Sequence, residues 1–345
     1  MSKQTTLKGL YGQVLYESTM KKLCNENFFT LVSEYYTMSG DYKTDSKLVN
    51  ELYEYIKEDD DFDPLGHGAE AKDIPDEAED KICVLSMSKG NAKLDWPYLS
   101  LPAGYTCPMA TVCKNFAAKS GKKFSDGSSV KGGKEREFMC YAARQQAQYH
   151  KTAGKNAFSN LKLLQTAFNS GGVDAMADLI VNSLEYHGYD KTKVFRIHEG
   201  GDFYSNEYFK AWIEVAKRLP SVIFYTHTTS LNFWMNNKGS IPKNFKLIAS
   251  MDKNNADMIL NNNLRFAKVV YSVEEAKELG LKIDYDDTIA VFGDESFALL
   301  IHGHQPAGTK ASKAVQDIKK SGIDKKIKAL HKANKSNRQK QLYSK

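Results

Sequence analysis

Three cysteines are the residues of this chain whose type and spacing point most directly to chemistry. Cys107 and Cys113 lie six positions apart in SLPAGYTCPMATVC, and Cys140 follows in EFMCYAARQQ. Thiolates are the ligands of iron–sulfur clusters and common ligands of zinc. The two CxxC pairs of a zinc ribbon are absent. We therefore expect a four-iron, four-sulfur (4Fe-4S) cluster with one open iron. The alternatives are zinc with a histidine as fourth ligand, and inert buried thiols.

A flexible excursion separates the second cysteine from the third. The segment from Lys114 to Met139 is rich in Gly, Ser and Lys, which is typical of a surface loop. A metal can bring together ligands that such a loop separates in sequence. We therefore treat Cys107, Cys113 and Cys140 as one candidate metal site.

The composition is that of a globular protein with a sizeable core. The 345 residues are 41% hydrophobic and 11% aromatic. Five cysteines are too few for a disulfide scaffold. No apolar run reaches the roughly 20 residues of a membrane span, and the N-terminal residues lack the apolar core of a signal peptide. We predict a cytoplasmic protein without a membrane partner, in the host cytoplasm if it is viral.

Charge divides the chain into segments. Residues 57–80 hold eleven acids and two lysines, whereas residues 309–345 hold twelve Lys/Arg and two Asp. We predict a helical N-terminal region over 1–56, an acidic linker over 57–80, a core over 81–308 and a basic helical tail over 309–345. A lysine-rich tail is suited to contacting nucleic acid or an acidic partner, although a solvated terminal helix has the same pattern.

The core alternates between strand-like and helix-like segments, which predicts a mostly parallel α/β sheet, open or closed into a partial or full (β/α) barrel. The predicted strands include KICVLSMS, KVFRIH, SVIFYTHT, FKLIASM, FAKVVYS, TIAVFG and FALLIHG. Reactive groups of such folds lie at the carboxyl ends of the strands.

Polar residues gather at two of these strand ends. RIHEGGDFYS contains Arg196 and His198, which alternation would place on one face of the strand. FYTHTTS contains His227. We name His198, His227 and Arg196 as candidates for substrate contact or proton transfer. Tight turns and structural hydrogen bonds explain the same residues without any catalytic role.

Two known site types are excluded by spacing. IHGHQPAGTKAS has Thr309 between Gly308 and Lys310, so the phosphate-binding Gly-Lys-Ser/Thr ending is missing. A zinc nucleobase deaminase needs His-x-Glu and Pro-Cys-x-x-Cys, and neither pattern occurs.

Five ordered motifs resemble the phage-encoded "gene product 88" family, whose function is unknown. They are SKGNAKL, LSLPAGYTCPMATVC, CYAAR, RIHEGGDFYSNEYFKAWIEVAKRLP and FYTHTTS, and the resemblance spans about residues 83 to 310.

A looser resemblance is to radical S-adenosylmethionine (SAM) enzymes, which are partial or full α/β barrels. Cysteines after the first strand and a later strand that ends in Gly-Gly-acid carry it. The resemblance implies that the three cysteines hold the cluster. It also implies SAM contacts for the following residues: Met139 at the adenine, Gly200, Gly201 and Asp202 at the methionine amine, and Ser230 at the ribose. The cysteine spacing departs from the family pattern, and Asp202 stands where Glu is usual.

Two other functions remain open at this stage. The chain could be a non-enzymatic phage factor that binds nucleic acid or a host protein, with structural cysteines or zinc. It could also be a Cys/His hydrolase or transferase, which requires a cysteine with a lowered pKa beside His198 or His227. The substrate is not specified by the sequence.

Overall fold

A computed structural model describes residues 84–90, 96–329 and 331–332. These residues form an eight-stranded sheet, a separate two-stranded ribbon and eight α-helices. The strands are β1 Met87–Ser88, β2 Tyr98–Ser100, β3 Asn115–Ala117, β4 Val130–Gly132, β5 Val194–Gly200, β6 Ile223–Thr228, β7 Phe245–Met251, β8 Phe266–Val270, β9 Lys282–Ile283 and β10 Phe297–Leu300. The helices are α1 Tyr141–Gln148, α2 Lys155–Tyr186, α3 Asn206–Arg218, α4 Leu231–Asn237, α5 Ala256–Asn261, α6 Val273–Glu278, α7 Thr288–Phe292 and α8 Lys310–Lys320.

The large sheet has the order β1-β2-β5-β6-β7-β8-β10-β9. All neighbouring strands are parallel except β1 and β2, which are antiparallel. Strands β2, β5, β6, β7 and β8 are neighbours in the sheet in the order in which they occur along the chain, and the β3–β4 ribbon lies between β2 and β5 in the sequence. The predicted, mostly parallel α/β sheet is therefore confirmed. In the described residues β1 and β9 are the two edges and do not pair, so a closed barrel is not formed by them.

Most helices cover one face of this sheet. Side chains of Phe224 and Phe245 pack with α2 and α3 in the largest apolar cluster. Further along the same face, Val270 and Leu300 pack with α6 and α8. The opposite face is covered by α7, together with Trp96. This layering follows from strand alternation, because every second residue points to the same side.

Short polar caps set where several helices begin. The Ser205 hydroxyl accepts the Tyr208 backbone N–H at 3.1 Å at the start of α3, and Ser272 does the same for Glu275 at the start of α6. Such caps satisfy N–H groups that have no partner within the helix. The long helix α2 is interrupted at Gly171, where two consecutive glycines leave helical geometry.

One predicted strand is a helix. TIAVFG is rich in β-branched and aromatic residues, which favours a strand. In the structure Thr288–Phe292 is α7, because the Asp284 carboxylate accepts the Ala290 backbone N–H at 2.7 Å and the buried Val291 packs beside Trp96. Tertiary packing and a side-chain hydrogen bond override the local preference here.

A shift in strand pairing separates two candidate residues. Between Arg196 and Gly200, β5 advances four residues while β2 advances two. The His198 ring nitrogen Nε2 lies 3.1 Å from the hydroxyl of Tyr208 on α3, whereas the Arg196 guanidinium lies 2.9 Å from Asp287 beside α7. The prediction that Arg196 and His198 share a face is wrong, since simple alternation does not extend through this irregular segment.

Part of the predicted organisation lies outside the described residues. This applies to the N-terminal region 1–56, the linker 57–80 and the end of the basic tail after residue 332. Within the described part of the chain, we find no helix long and apolar enough to cross a bilayer.

Candidate metal centre

The loop after β2 carries Cys107 and Cys113 across the carboxyl end of the parallel sheet. Its first residue, Leu101, donates its N–H to the Gly200 carbonyl at 2.8 Å. From the other side, the Gln146 amide on α1 donates to the Leu101 carbonyl at 2.8 Å and accepts a loop N–H at 2.9 Å. The cysteine loop is thus fixed between a strand end and a helix.

The three thiols come together at this loop. Burial raises the pKa of Cys107 well above its ordinary value, and the charges of Asp202, Cys140 and Cys113 raise it further. Burial and then Cys140 raise the pKa of Cys113, and burial raises the pKa of Cys140. The thiols therefore lie close enough to affect one another's pKa, although Cys140 is 27 residues after Cys113 in the sequence.

Each sulfur also has a backbone N–H directed at it. Cys140 is the residue before α1, and the N–H groups of Ala142 and Ala143 oppose the rise of its pKa. The Gly104 N–H does the same for Cys107. The backbone N–H of Cys113 does the same for the Cys113 thiol. Such N–H groups stabilise thiolates and tune metal–sulfur sites.

The cysteine loop depends on a glycine. Gly104 has φ +83, and a Cβ built there would lie 2.5 Å from the Asn115 carbonyl oxygen. The loop is also tied to the carboxyl end of β7, since the Thr111 hydroxyl donates to Asp252 at 2.8 Å.

The thiols are not arranged as a preformed site for a single ion. Among the described residues, no group of three or more His, Cys, Asp or Glu is placed to hold one metal ion. Zinc binds sulfur at about 2.3 Å, which requires its thiolates to lie within about 4 Å of one another. A four-iron cluster binds each thiolate through a different iron and accepts a wider spacing.

The turn after β5 is held by hydrogen bonds within the protein. Each carboxylate oxygen of Asp202 accepts two hydrogen bonds, all of 2.6–2.8 Å. Oδ1 accepts from the Phe203 N–H and the Thr228 hydroxyl, and Oδ2 accepts from the N–H and the hydroxyl of Thr229. Burial raises the pKa of this carboxyl, and these hydrogen bonds limit the rise. Because a carboxylate offers about four acceptor positions, Asp202 is fully engaged.

The other residues implied as SAM contacts also have structural partners. The Ser230 hydroxyl donates to the Phe203 carbonyl at 2.8 Å. A Cβ at Gly200 would lie 2.9 Å from the Gln146 amide nitrogen, and one at Gly201 would lie 2.6 Å from the Thr106 hydroxyl. The glycines thus allow the cysteine loop and α1 to approach β5. Their assignment to SAM stays a prediction.

Met139 lies directly before Cys140 and is held through its backbone. Its N–H donates to the Gln305 side-chain oxygen at 2.7 Å, and its carbonyl accepts from the same amide at 3.3 Å. This pair of hydrogen bonds fixes the residue before Cys140 to the loop after β10.

The two candidate histidines lie on opposite faces. His198 is buried against Phe203 and Tyr208, and burial followed by the charge of Arg196 lowers its pKa to about 3. His227 is half-buried, with its ring 5.9 Å from that of Phe297. The structure does not bring these histidines together. Their catalytic assignment is untested.

Arg196 belongs to a polar network next to the cysteines. Its guanidinium donates to the Asp287 carboxylate at 2.9 Å and to the Tyr141 hydroxyl at 3.1 Å. Tyr225 donates to the same Asp287 oxygen at 2.7 Å, and the Tyr141 hydroxyl donates to the Glu199 carbonyl. Tyr141, which follows Cys140 directly, is 37% exposed and links this network to solvent.

Sequence reasoning did not find Tyr141, Asp287 or Gln146. The signal for Tyr141 was its position after a candidate metal ligand, at the start of a helix. Asp287 lies in a run of acids in DYDD, which resembles an ordinary turn. Nothing in the sequence links either residue to Arg196.

One comparison covers most of the chain and therefore decides to which family it belongs. Residues 69–322 match the family described as Gene product 88. The chain belongs to the Gene product 88 family. The match confirms the predicted family, and it extends beyond residues 83 to 310 on both sides.

Two phage proteins illustrate the likeness within the Gene product 88 family. The chain is 25% identical over 222 residues to the Gene 88 protein of Mycobacterium phage L5, which covers 64% of this chain and 77% of that protein. It is 26% identical over 202 residues to the Gene 88 protein of Mycobacterium phage D29, covering 58% and 69%. No solved structure matches the chain. The looser resemblance to radical SAM enzymes finds no support in these comparisons.

Proposed function

We propose that this member of the Gene product 88 family holds a four-iron, four-sulfur cluster through Cys107, Cys113 and Cys140. The observation that carries the proposal is that α1, which directly follows Cys140, is hydrogen-bonded through Gln146 to the loop that carries Cys107 and Cys113. The neighbouring thiols also raise the pKa of Cys107 and Cys113. The donor set consists of soft thiolates, which favour iron–sulfur clusters, zinc and Cu(I).

The surroundings of the thiols suit a cluster. Each sulfur faces a backbone N–H, and the loop that carries two of them is held by Gln146. When bound, such a cluster would supply one-electron chemistry and an open iron for a small ligand. The protein would orient the ligands, exclude water and set the local charge.

SAM is the candidate ligand of the open iron, and this part of the proposal comes from the resemblance alone. The turn at Asp202 lies close enough to Cys107 for its charge to raise the pKa of that thiol, and this closeness supports the SAM part of the proposal. The hydrogen bonds of Asp202 and Ser230 favour a supporting role for both side chains over direct ligand contact.

The hydrolase or transferase hypothesis is less favoured. A nucleophilic cysteine needs a lowered pKa. The pKa values of all three thiols are raised, and His198 makes its contacts with Tyr208 and Thr226.

The test is anaerobic purification followed by iron, sulfide and zinc analysis and an optical spectrum. We expect about four iron atoms per chain and a broad absorption at about 400 nm. Both should disappear in the Cys107→Ala/Cys113→Ala/Cys140→Ala variant. The matched control is Cys24→Ala/Cys83→Ala, which removes the other two cysteines and should keep the iron. About one zinc per chain, or a folded protein without metal, would overturn the cluster. Equilibrium binding of SAM to the iron-loaded protein then tests the ligand separately.

A second candidate function is binding of a polyanionic partner, nucleic acid or acidic protein, through the basic tail. In α8 and the helical residues 323–329 the apolar side packs on the core at Ala311 and Val315. The lysines are on the outside, at positions Lys310, Lys313, Lys319, Lys320, Lys325, Lys326, Lys328 and Lys332. Replacement of Lys319, Lys320 and Lys326 by Gln should weaken salt-dependent binding of a partner that uses the tail. Unchanged affinity would exclude these three lysines as contacts to the partner.

A further inference from the structure

We propose that a basic face beside the cysteines binds single-stranded nucleic acid. The face is formed by residues 119–123 of the excursion together with the α1–α2 segment, residues 141–162. We call it the core basic face, to distinguish it from the C-terminal tail. Binding to this face does not depend on the cluster. If the proposed cluster is present, the position of the face makes single-stranded nucleic acid the class of substrate that the cysteine site would act on.

The charge of this part of the chain is strongly one-sided. Residues 114–173 contain eleven Lys/Arg and three acids, and there is no Asp or Glu between Phe138 and Val173. Two of the three acids lie at the other side of the excursion, where Glu137 pairs with Lys253 at 2.9 Å and Glu135 accepts from Asn254 at 2.8 Å. The eleven basic residues are Lys114, Lys119, Lys122, Lys123, Lys131, Lys134, Arg136, Arg144, Lys151, Lys155 and Lys162.

The fold brings the two basic segments onto one surface. The Lys119 ammonium of the excursion lies 5.8 Å from the centre of the Phe158 ring on α2. Lys155 and Lys162 are exposed and lie three residues before and four residues after Phe158, hence on the same side of the helix. A Cβ at Gly121 would lie 2.5 Å from the His150 ring, so the excursion also contacts the start of this segment.

Exposed aromatic area accompanies these lysines. Tyr149 is 53% exposed and lies between α1 and the short π-helix His150–Gly154, which contains the exposed Lys151. Single-stranded nucleic acids are bound by positive grooves with aromatic side chains on which the bases stack. An acidic protein would use the charge but has no bases to stack. The combination therefore favours nucleic acid over an acidic protein.

The core basic face is connected to the cysteines by one rigid element. Helix α1 begins directly after Cys140, and its eight residues extend about 12 Å to the π-helix. The excursion begins after Cys113 and ends before Cys140. A strand bound at Tyr149 and Lys151 would therefore lie about 12 Å, the length of α1, from Cys140.

The test measures binding of a mixed-sequence DNA strand of about 16 nucleotides to the full chain by fluorescence anisotropy at several salt concentrations. The variant is Lys122→Gln/Lys151→Gln/Lys155→Gln/Lys162→Gln. The matched control replaces four exposed lysines elsewhere: Lys210, Lys238, Lys243 and Lys277. The tail is intact in both proteins, so any difference reports the core basic face. Circular dichroism and thermal unfolding verify that both fold.

We expect the variant to lose at least about tenfold in affinity and the control to stay within about twofold. The slope of log K against log salt should fall by about 3 in magnitude, at about 0.7 for each phosphate contact on single strands. Tyr149→Ala should weaken DNA binding about tenfold and leave binding of polyglutamate unchanged. Equal losses in variant and control would overturn the core basic face. Polyglutamate bound as tightly as DNA, with no effect of Tyr149→Ala, would replace nucleic acid by an acidic protein. Because none of these measurements needs iron, their outcome is independent of the cluster.

Discussion

The guanidinium of Arg196 lies 2.9 Å from the carboxylate of Asp287, across 91 residues of sequence. Both side chains are 13% exposed. Burial lowers the pKa of Arg196, but Tyr141 and Asp287 outweigh this effect and raise it overall. The pair thus ties the middle of β5 to the start of α7, and Arg196 also contacts Tyr141, the residue that follows Cys140.

Loss of one partner of this pair should be costly. Asp287→Asn leaves a charged guanidinium with a weaker acceptor, and we expect it to lower the free energy of unfolding by about 3 kcal/mol. Urea denaturation measures the change. The control, Asp178→Asn, breaks the more exposed pair with Arg218 and should cost at most about 1 kcal/mol. Similar small effects from both substitutions would contradict the importance of the buried pair.

His198 should remain neutral throughout the physiological range. Its pKa is lowered to about 3 by burial and by Arg196, compared with about 6.5 in an unfolded chain. The unfolded state therefore binds the extra proton first, and this residue reduces stability as the pH falls from about 6.5 towards 3. Histidine-selective NMR of the wild-type protein measures the titration directly. A midpoint near 6.5 would contradict the buried, neutral imidazole and would restore His198 as a candidate general base.

Asp202 should act as a structural carboxylate. Asp202→Asn replaces one acceptor by an NH2 group that faces hydrogen-bond donors, and we expect a loss of about 2–3 kcal/mol of unfolding free energy. The comparison is Asp174→Asn on the exposed surface of α2, with an expected change within about 0.5 kcal/mol. If Asp202→Asn keeps full stability but abolishes SAM binding by the iron-loaded protein, the carboxylate is a ligand group after all.

Gly201 should not tolerate a side chain. It has φ +85, and an added Cβ would lie 2.6 Å from the Thr106 hydroxyl and 2.7 Å from the Leu101 Cβ. Gly201→Ala combines backbone strain with overlap in the cysteine loop, so we expect about 3 kcal/mol of destabilisation. Gly188 has φ +72 with nothing within 4 Å of its Cβ, so Gly188→Ala isolates the strain at about 1 kcal/mol. Equal losses in urea denaturation would show that the loop can move away.

The sequence predicts the regular strands of this chain, but it does not predict the helix at TIAVFG or the irregular pairing of β5. The predicted strand FKLIASM coincides with β7, because a continuous apolar run between turns is typical of a buried parallel strand. The strand predicted for TIAVFG is wrong because the helix there depends on the hydrogen bond from the Ala290 N–H to Asp284, which forms only in the folded chain. The pairing shift in β5 likewise depends on β2, which is nearly a hundred residues away.

In the candidate site, too, features set by residue type and spacing could be predicted, whereas contacts between distant segments could not. The grouping of Cys107, Cys113 and Cys140 follows from residue type and the loop between them, and in the structure burial and the neighbouring thiols raise the pKa of Cys107 and Cys113. The partners of Arg196 could not be inferred, since they come from a helix start and a turn without a distinctive pattern. Metal binding itself stays a prediction.

The excursion between the cysteines is closed at its base. Glu137 and Phe138 donate their N–H groups to the Val112 carbonyl, and Gly133 donates to Lys114. Beyond the β3–β4 ribbon, at the tip around Gly127, doubling the number of loop residues costs only about 0.6 kcal/mol of loop-closure entropy. The excursion can therefore lengthen or shorten during evolution without displacing the thiols. Its exposed tip at Gly127 is accordingly a suitable place for a fluorescent label or an inserted peptide tag.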